Sequence, residues 1–244
     1  ANKFKRDNNL DFTKDEIVVS TGAKQSLANI CLSLLDPGDE VLLPCPYWVS
    51  YAEIIKLAEG TPIEISSSVK DNFKVSAKQI ENAITEKTKM FMFSSPCNPS
   101  GSVYTEDELR EIAKVFEKYP QVFIVSDEIY EHINFTNQHF SIGRIDSLKD
   151  RVITVNGVSK GFAMTGWRVG FIGAPLWIAK ACNKIQGQVT SATCAIAQKA
   201  TEEAMKADPK EVTNEMKNSF LKRRDLLLEK LNEIKGVKCN IPDG

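Results

Sequence analysis

The chain has 244 residues, 42% of them hydrophobic and 26% charged, and a net charge of −1. That length can bury a large core, as one α/β domain or two smaller ones. The near-balanced charge offers no basic surface for nucleic acid, and no apolar run approaches the roughly 20 residues that cross a bilayer. Neither nucleic acid nor membrane is therefore expected as a partner. The six cysteines at 31, 45, 97, 182, 194 and 239 are scattered, without a C-x-x-C pair or a histidine cluster. They read as buried, reduced thiols of a cytoplasmic protein, with no metal site expected.

The chain opens without Met. Residues 1–12 read as the last turns of a truncated helix, with cations near its end and Asn8 or Asn9 as cap, followed by a linker. A short β-branched run at 16–20 leads through Thr21-Gly22-Ala23 into a helix at 24–35. Asp36-Pro37-Gly38-Asp39 is a turn, in which proline fixes φ and glycine supplies a positive one. Strands follow at 40–43, 61–65, 89–93 and 122–126, separated by helices near 48–58, 76–84 and 106–118. Thr105 and Glu108 form a capping box for the last of these helices. Two more strands, 152–155 and 169–173, bring the count to about seven. Such alternation predicts an α/β fold of three layers, α/β/α, around a mostly parallel sheet with right-handed crossovers. After Pro175 come helices at 175–186, 193–206 and 209–234, then a strand-like run at 237–241. The reading assigns 13–208 to one large domain and 209–244 to a helix and strand leading towards a second domain.

Ligands of open α/β sheets collect at the carboxyl ends of the strands, and the unusual residues fall there. The turn Gly22-Ala23-Lys24 opens a helix, where free N–H groups suit a phosphate, although a plain tight turn reads the same way. Trp48 follows a strand and, alone, reads as core. Asn98, within Ser94-Ser95-Pro96-Cys97-Asn98-Pro99-Ser100-Gly101, is by itself only a turn signal. Asp127 ends the most hydrophobic strand, with Tyr130 three residues on. A carboxylate there needs a partner, or else caps a helix. Within 154–170 a lone lysine, Lys160, sits among small residues after a strand, and Arg168 stands just before the next strand. A lysine in that setting can serve as a Schiff-base nucleophile, or can simply lie on a solvated turn.

The stretch Ser159-Lys160-Gly161-Phe162-Ala163-Met164-Thr165-Gly166-Trp167-Arg168-Val169-Gly170 resembles the signature of the class I/II aminotransferases, pyridoxal phosphate enzymes of fold type I. Four motifs occur in that family's order. Pro46-Tyr47-Trp48-Val49-Ser50-Tyr51 and Ser126-Asp127-Glu128-Ile129-Tyr130-Glu131-His132 are most similar to the aspartate aminotransferases. The resemblance implies the large, cofactor-binding domain, with pyridoxal 5'-phosphate joined to Lys160, which also acts as general base. Asp127 would keep the ring nitrogen protonated. Tyr130 and Asn98 would reach the phenolic oxygen, and Asn98 the substrate carboxylate as well. Trp48 would stack on the ring and contact substrate, while Gly22, Ala23, Lys24 and Arg168 would hold the phosphate. The catalytic residues so implied are Lys160, Asp127 and Tyr130. Cys97 and Ser100 depart mildly from the family's pattern. Gly157 stands where many relatives carry serine, so a hydroxyl contact to the phosphate would be missing or supplied from elsewhere.

The implied activity is ping-pong transfer of an amino group from an L-amino acid to a 2-oxo acid, first of all by an aspartate aminotransferase. Aromatic or alanine specificity, a C–S β-lyase and a non-catalytic cofactor-sensing domain are the alternatives. The resemblance also implies a homodimer, with the loop at 188–193 near the neighbouring subunit's site. The arginine for the substrate α-carboxylate would lie in a small domain beyond Gly244, so the chain alone is expected to bind cofactor without turning over. His132 and His139 have no partner evident in the sequence and read as structural or surface residues.

Overall fold

The computed structural model describes residues 1–136 and 138–244. Seven strands form one sheet: β1 (Ile17–Ser20), β2 (Glu40–Pro44), β3 (Thr61–Ile65), β4 (Thr88–Ser94), β5 (Phe123–Asp127), β6 (Val152–Gly157) and β7 (Gly170–Gly173). Their spatial order is β1-β7-β6-β5-β4-β2-β3. Every neighbouring pair is parallel except the two made by β7, which runs antiparallel to β1 and to β6. The mostly parallel, seven-stranded sheet expected from the sequence is thus present. The helices are α1 (Ala23–Leu34), α2 (Ser50–Leu57), α3 (Ala77–Ala83), α4 (Glu106–Glu117), α5 (Leu176–Val189), α6 (Ala195–Lys206) and α7 (Pro209–Asn232).

Successive strand side chains point to opposite faces, and each strand feeds two cores. Val41, Leu43, Met90, Met92, Val125, Ile153 and Val155 pack with Leu27, Ile30, Tyr51, Ile178 and Cys182 of α1, α2 and α5. Their alternates, Leu42, Phe91, Phe93, Ile124 and Val152, pack with Ile80, Leu109, Ile112 and Phe116 of α3 and α4. A sheet buried on both faces accounts for the near-continuous apolar runs of its central strands. The capping box expected at α4 is present, Thr105 and Glu108 each bonding the other's backbone N–H. Ser76 and Gln79 form a second one at α3. Among the described residues no helix is long and apolar enough to cross a membrane.

One expectation changes. Residues 237–241 are not a strand. Both sheet edges, β1 and β3, lie elsewhere, and the tail spends its hydrogen bonds on turns: Asp243 and Gly244 N–H donate to the Gly101 carbonyl at 2.7 and 2.9 Å, and Phe135 N–H donates to the Asp243 carbonyl at 2.7 Å. Val237 and Ile241 suit a strand, but the segment pairs with neither edge of the sheet. At the other end, the helical turn Phe4–Asn8 does end at Asn9, whose φ is 53°, as expected. The segment is packed against the body of the fold, with Lys3, Phe4, Asn8 and Leu10 buried.

Candidate active site

The sheet works as a ruler for the site. Gly22 follows β1, Lys160 lies three residues past β6, Asp127 ends β5, Asn98 follows β4 and Trp48 follows β2. All five stand at the carboxyl edge of parallel strands. Arg168 precedes β7, and because β7 runs the other way its start meets that same edge. Neighbouring strands are about 4.8 Å apart, so the backbones of β7 and β5, two strands from each other, are separated by roughly 10 Å. One cavity of about 270 Å³ is lined by Ala23, Lys24, Trp48, Asn98, Asp127, Tyr130, Lys160 and Arg168. Every site residue expected from the sequence lines it except Gly22, which lies directly beneath the Arg168 guanidinium.

At the arginine end the fit is close. A Cβ on Gly22 would come within 2.4 Å of Nη2 of Arg168, and Gly22 has φ +86°. A Cβ on Gly170 would lie 2.2 Å from the Ala23 backbone nitrogen. Two glycines therefore let the arginine fork and the first turn of α1 meet. Arg168 itself has φ 54°, and its Nη1 donates to the Thr165 carbonyl at 2.8 Å. A guanidinium fork over a helix N-terminus matches a phosphate in both charge and donor direction.

Asp127 is fully buried. Its Oδ2 accepts a hydrogen bond from the Tyr51 hydroxyl at 2.8 Å, and its Oδ1 accepts from the Ile129 N–H at 3.2 Å. Burial pushes the Asp127 carboxyl up to about 6; the two hydrogen bonds and Lys160 oppose the rise, and Glu128 adds to it. Burial, reinforced by Asp127, raises the Tyr51 hydroxyl well above its ordinary value, so it remains a donor. A buried carboxylate of this kind suits a partner carrying an N–H and positive charge. Beside it, Asn98 Nδ2 donates to the Tyr130 hydroxyl at 3.2 Å, and Lys160 Nζ lies 5.7 Å from the Tyr130 ring centre. Trp48 meets Tyr51 edge-on at 5.6 Å. Lys24, expected among the phosphate residues, instead holds its ammonium 4.8 Å from the Trp48 ring centre.

Tyr51, Ser94, Ile129, Ser159 and Thr165 also line the cavity and were not singled out from the sequence. Tyr51 could have been found, since it stands three residues after Trp48 at the start of α2 and so on the same side of the chain. Gly157, where a serine was looked for, has no room for one. A Cβ there would lie 2.9 Å from the Val169 carbonyl oxygen and 3.0 Å from the Gly170 Cα. Ser159 and Thr165 are the hydroxyls that the cavity offers in its place. Of the two readings of His132 and His139, the structural one holds: His139 bonds Glu128 at 2.8 Å, and His132 lies 3.2 Å from Glu131.

These residues fit pyridoxal 5'-phosphate. The arginine fork and helix N-terminus suit its phosphate, the buried carboxylate its ring nitrogen, and the lysine its carbonyl. The profile of the family described as aminotransferase class I and II matches residues 1–244. An aspartate/prephenate aminotransferase of Cereibacter sphaeroides is 45% identical over 99% of this chain and 61% of its own length. The crystal structure of the aspartate aminotransferase from Rhizobium meliloti superposes with a TM-score of 0.96 at 41% identity, over 99% of this chain and 61% of that one. An aromatic aminotransferase from Pyrococcus horikoshii gives a TM-score of 0.96 at 37% identity, over 100% of this chain and 65% of that one. The chain thus spans about 61% of the length of the curated relatives it matches. A match that runs from the first residue to the last, on a cavity with this donor set, makes the chain a member of the class I and II aminotransferases.

Proposed function

We propose that this chain is the cofactor-binding part of a pyridoxal-phosphate-dependent transaminase that moves an amino group from an L-amino acid to a 2-oxo acid, with aspartate as the favoured donor. The observation that carries the reading is the strand-by-strand order of Arg168, Lys160, Asp127 and Asn98 around one cavity. The names of the aspartate and aspartate/prephenate relatives favour aspartate.

Gly22, Ala23 and Arg168 hold the phosphate, with Ser159 and Thr165 as nearby hydroxyls. Asp127, as a carboxylate, keeps a proton on the ring nitrogen, and Tyr51 and the Ile129 N–H hold it in place. Asn98 and Tyr130 share the phenolic oxygen, and Asn98 also meets the substrate carboxylate. Trp48 packs against the ring. Lys160 would be the point of covalent attachment, and its freed amine would take the proton from the substrate's α-carbon and deliver it to the cofactor's C4′ carbon, the shift that transfer requires. When bound, the cofactor supplies the electron sink that makes that proton removable.

The reading includes a homodimer. Val189, within the loop at 188–193, and Ile196, just after it, are 68% and 76% exposed and are suited to cover by a second copy. It also places α7 as the element leading to a second domain, and the protein in a reducing compartment, in keeping with six free cysteines. Borohydride reduction with pyridoxal phosphate, followed by peptide mass analysis, tests the assignment: the pyridoxyl mass is expected on Lys160, and label on another lysine refutes it. Half-reaction rates of the full-length enzyme with aspartate, glutamate, alanine and aromatic amino acids test the donor, and sedimentation tests the dimer.

A further inference from the structure

Behind the turn that carries Asp127 and Tyr130 lies a buried cluster of charges. Glu128, 1% exposed, receives four hydrogen-bond contacts: Ser126 Oγ at 2.9 Å, Ser141 Oγ at 2.6 Å, Asn8 Nδ2 at 2.9 Å and His139 Nε2 at 2.8 Å. Glu131, also buried, accepts from Asn8 Nδ2 at 2.6 Å and is ion-paired with Lys3. His132 stands 3.2 Å from it and His139 3.8 Å. Lys3 Nζ in turn donates to Asn8 Oδ1 at 2.6 Å and lies 3.8 Å from Asp7. Arg6 grips Asp7 through two nitrogens, at 2.6 and 3.0 Å.

Opposite charges face one another: Lys3 stands against Glu131 and Asp7, and Arg6 against Asp7. Burial alone would lower the His139 imidazole, but Glu128 and Glu131 raise it above its ordinary value; burial leaves His132 lowered. His139 stands against Glu128. The ligand-type atoms of Asp7, Glu131 and His132, and of Glu128, Glu131 and His139, lie within 4.8 Å of one another, a spacing a divalent ion could use. Here the Lys3 ammonium stands against Glu131 as the cation, so the cluster reads as a closed ionic joint.

Both ends of that joint bear on the cavity. Glu128 is the next residue after Asp127, and Glu131 the next after Tyr130. The backbone between them closes as a turn, Glu131 N–H to Glu128 carbonyl at 3.0 Å. Asn8 bonds both glutamates with one amide nitrogen, which fixes their separation from outside the turn. We infer that Lys3 and Asn8 are positioning residues for the cofactor site: by holding Glu128 and Glu131 they set where Asp127 and Tyr130 enter the cavity. The residues that do this precede Asp127 and Tyr130 by more than a hundred positions and line no part of the cavity. Removing one partner of a buried ion pair leaves the other charge uncompensated, and the cheapest relief is to move the turn.

The inference rests on the reading of Asp127 and Tyr130 as cofactor residues, and the experiment separates the two. Equilibrium binding of pyridoxal phosphate and thermal unfolding are measured on the protein and on Lys3→Met, Lys3→Arg, Asn8→Ser and Leu10→Ala. Leu10 is a buried apolar residue just after the same segment, packed with Phe4 and Phe171, and its truncation loosens that packing without touching the cluster. Lys3→Met and Asn8→Ser are expected to weaken cofactor binding at least fivefold, the lower end of ordinary site-to-site coupling, and to shift the pH dependence of the bound cofactor's absorbance. Lys3→Arg is expected to restore binding to within twofold, and Leu10→Ala to lower the melting temperature with affinity kept within twofold. Wild-type affinity in both Lys3→Met and Asn8→Ser overturns the inference, as does a loss in Leu10→Ala equal to theirs. Should Lys3→Met fail to fold, Asn8→Ser against Leu10→Ala decides by the same criterion. Absence of cofactor binding by the unaltered protein overturns the site reading, and this inference with it.

Discussion

The Tyr51 hydroxyl donates a 2.8 Å hydrogen bond to Oδ2 of Asp127, and both side chains are buried. One comes from the first turn of α2, the other from the end of β5, 76 residues later. This contact sets the electrostatic state of the cavity, because it partly offsets the cost of burying a carboxylate there.

Asp127→Asn is expected to stabilise the cofactor-free protein at pH 7 while cutting transamination by the full-length enzyme severely, since an amide cannot keep the ring nitrogen protonated. The Asp127 carboxyl rises from 3.8 to about 6 on folding, roughly two units at about 1.4 kcal/mol each. The folded state therefore holds this proton more tightly than the unfolded chain does. Stability from this group is full below about pH 4, falls as pH rises from about 4 to about 6, and is level above. The variant lacks that fall and gains up to about 3 kcal/mol at neutral pH. Urea unfolding across pH 4–8 measures it, and no gain at pH 7 would show that Asp127 is better solvated than its burial implies.

Tyr51→Phe acts in the opposite sense. It leaves Oδ2 without its side-chain donor in a dry site, at a cost of about 1–3 kcal/mol at pH 7. The Asp127 carboxyl then rises further, so the fall in stability extends above pH 6. The same pH series reads this directly. A profile identical to that of the unaltered protein would assign the tyrosine to packing alone.

Gly22→Ala probes the other end of the cavity. The added methyl meets only the tip of a flexible arginine, which can move, but the backbone at φ +86° cannot hold an L side chain without strain of about 1–3 kcal/mol. The expected result is a folded protein with weakened affinity for pyridoxal phosphate, as in Arg168→Ala, where the fork itself is lost. Unchanged affinity in both variants would place the phosphate elsewhere.

Local signals were legible in the sequence. Thr105 and Glu108 mark the start of α4 because a capping box needs only residues three apart, and Asp127 stands out as a carboxylate closing an apolar strand. The sheet's count and mostly parallel character follow from apolar runs separated by helices. The contacts that tune the site were not legible, because each joins distant elements: Tyr51 to Asp127, Gly22 to Arg168, Asn8 to Glu128 and Glu131. His132 and His139 carry no local pattern, and their pairing with Glu131 and Glu128 appears only once the chain after β5 folds back on itself. The run at 237–241 reads as strand-like, yet it pairs with neither sheet edge, and composition cannot report that.

Gly157→Ser separates resemblance from geometry. Many members of the family carry serine three residues before the lysine, so resemblance alone predicts that the substitution adds a phosphate contact and tightens binding. The structure predicts the reverse. A Cβ at 157 would press on the Val169 carbonyl oxygen at 2.9 Å and the Gly170 Cα at 3.0 Å, both backbone atoms, with Ile129 Cδ1 also at 3.0 Å. Strands β6 and β7 are paired there, Gly157 opposite Gly170, so relief requires parting two strands at the edge that holds Arg168. Overpacking of this kind costs about 1–3 kcal/mol. The variant is expected to unfold at lower urea concentration and to bind pyridoxal phosphate no more tightly than the unaltered protein. Tighter binding at unchanged stability would show that the β6–β7 pair opens more easily than these distances allow.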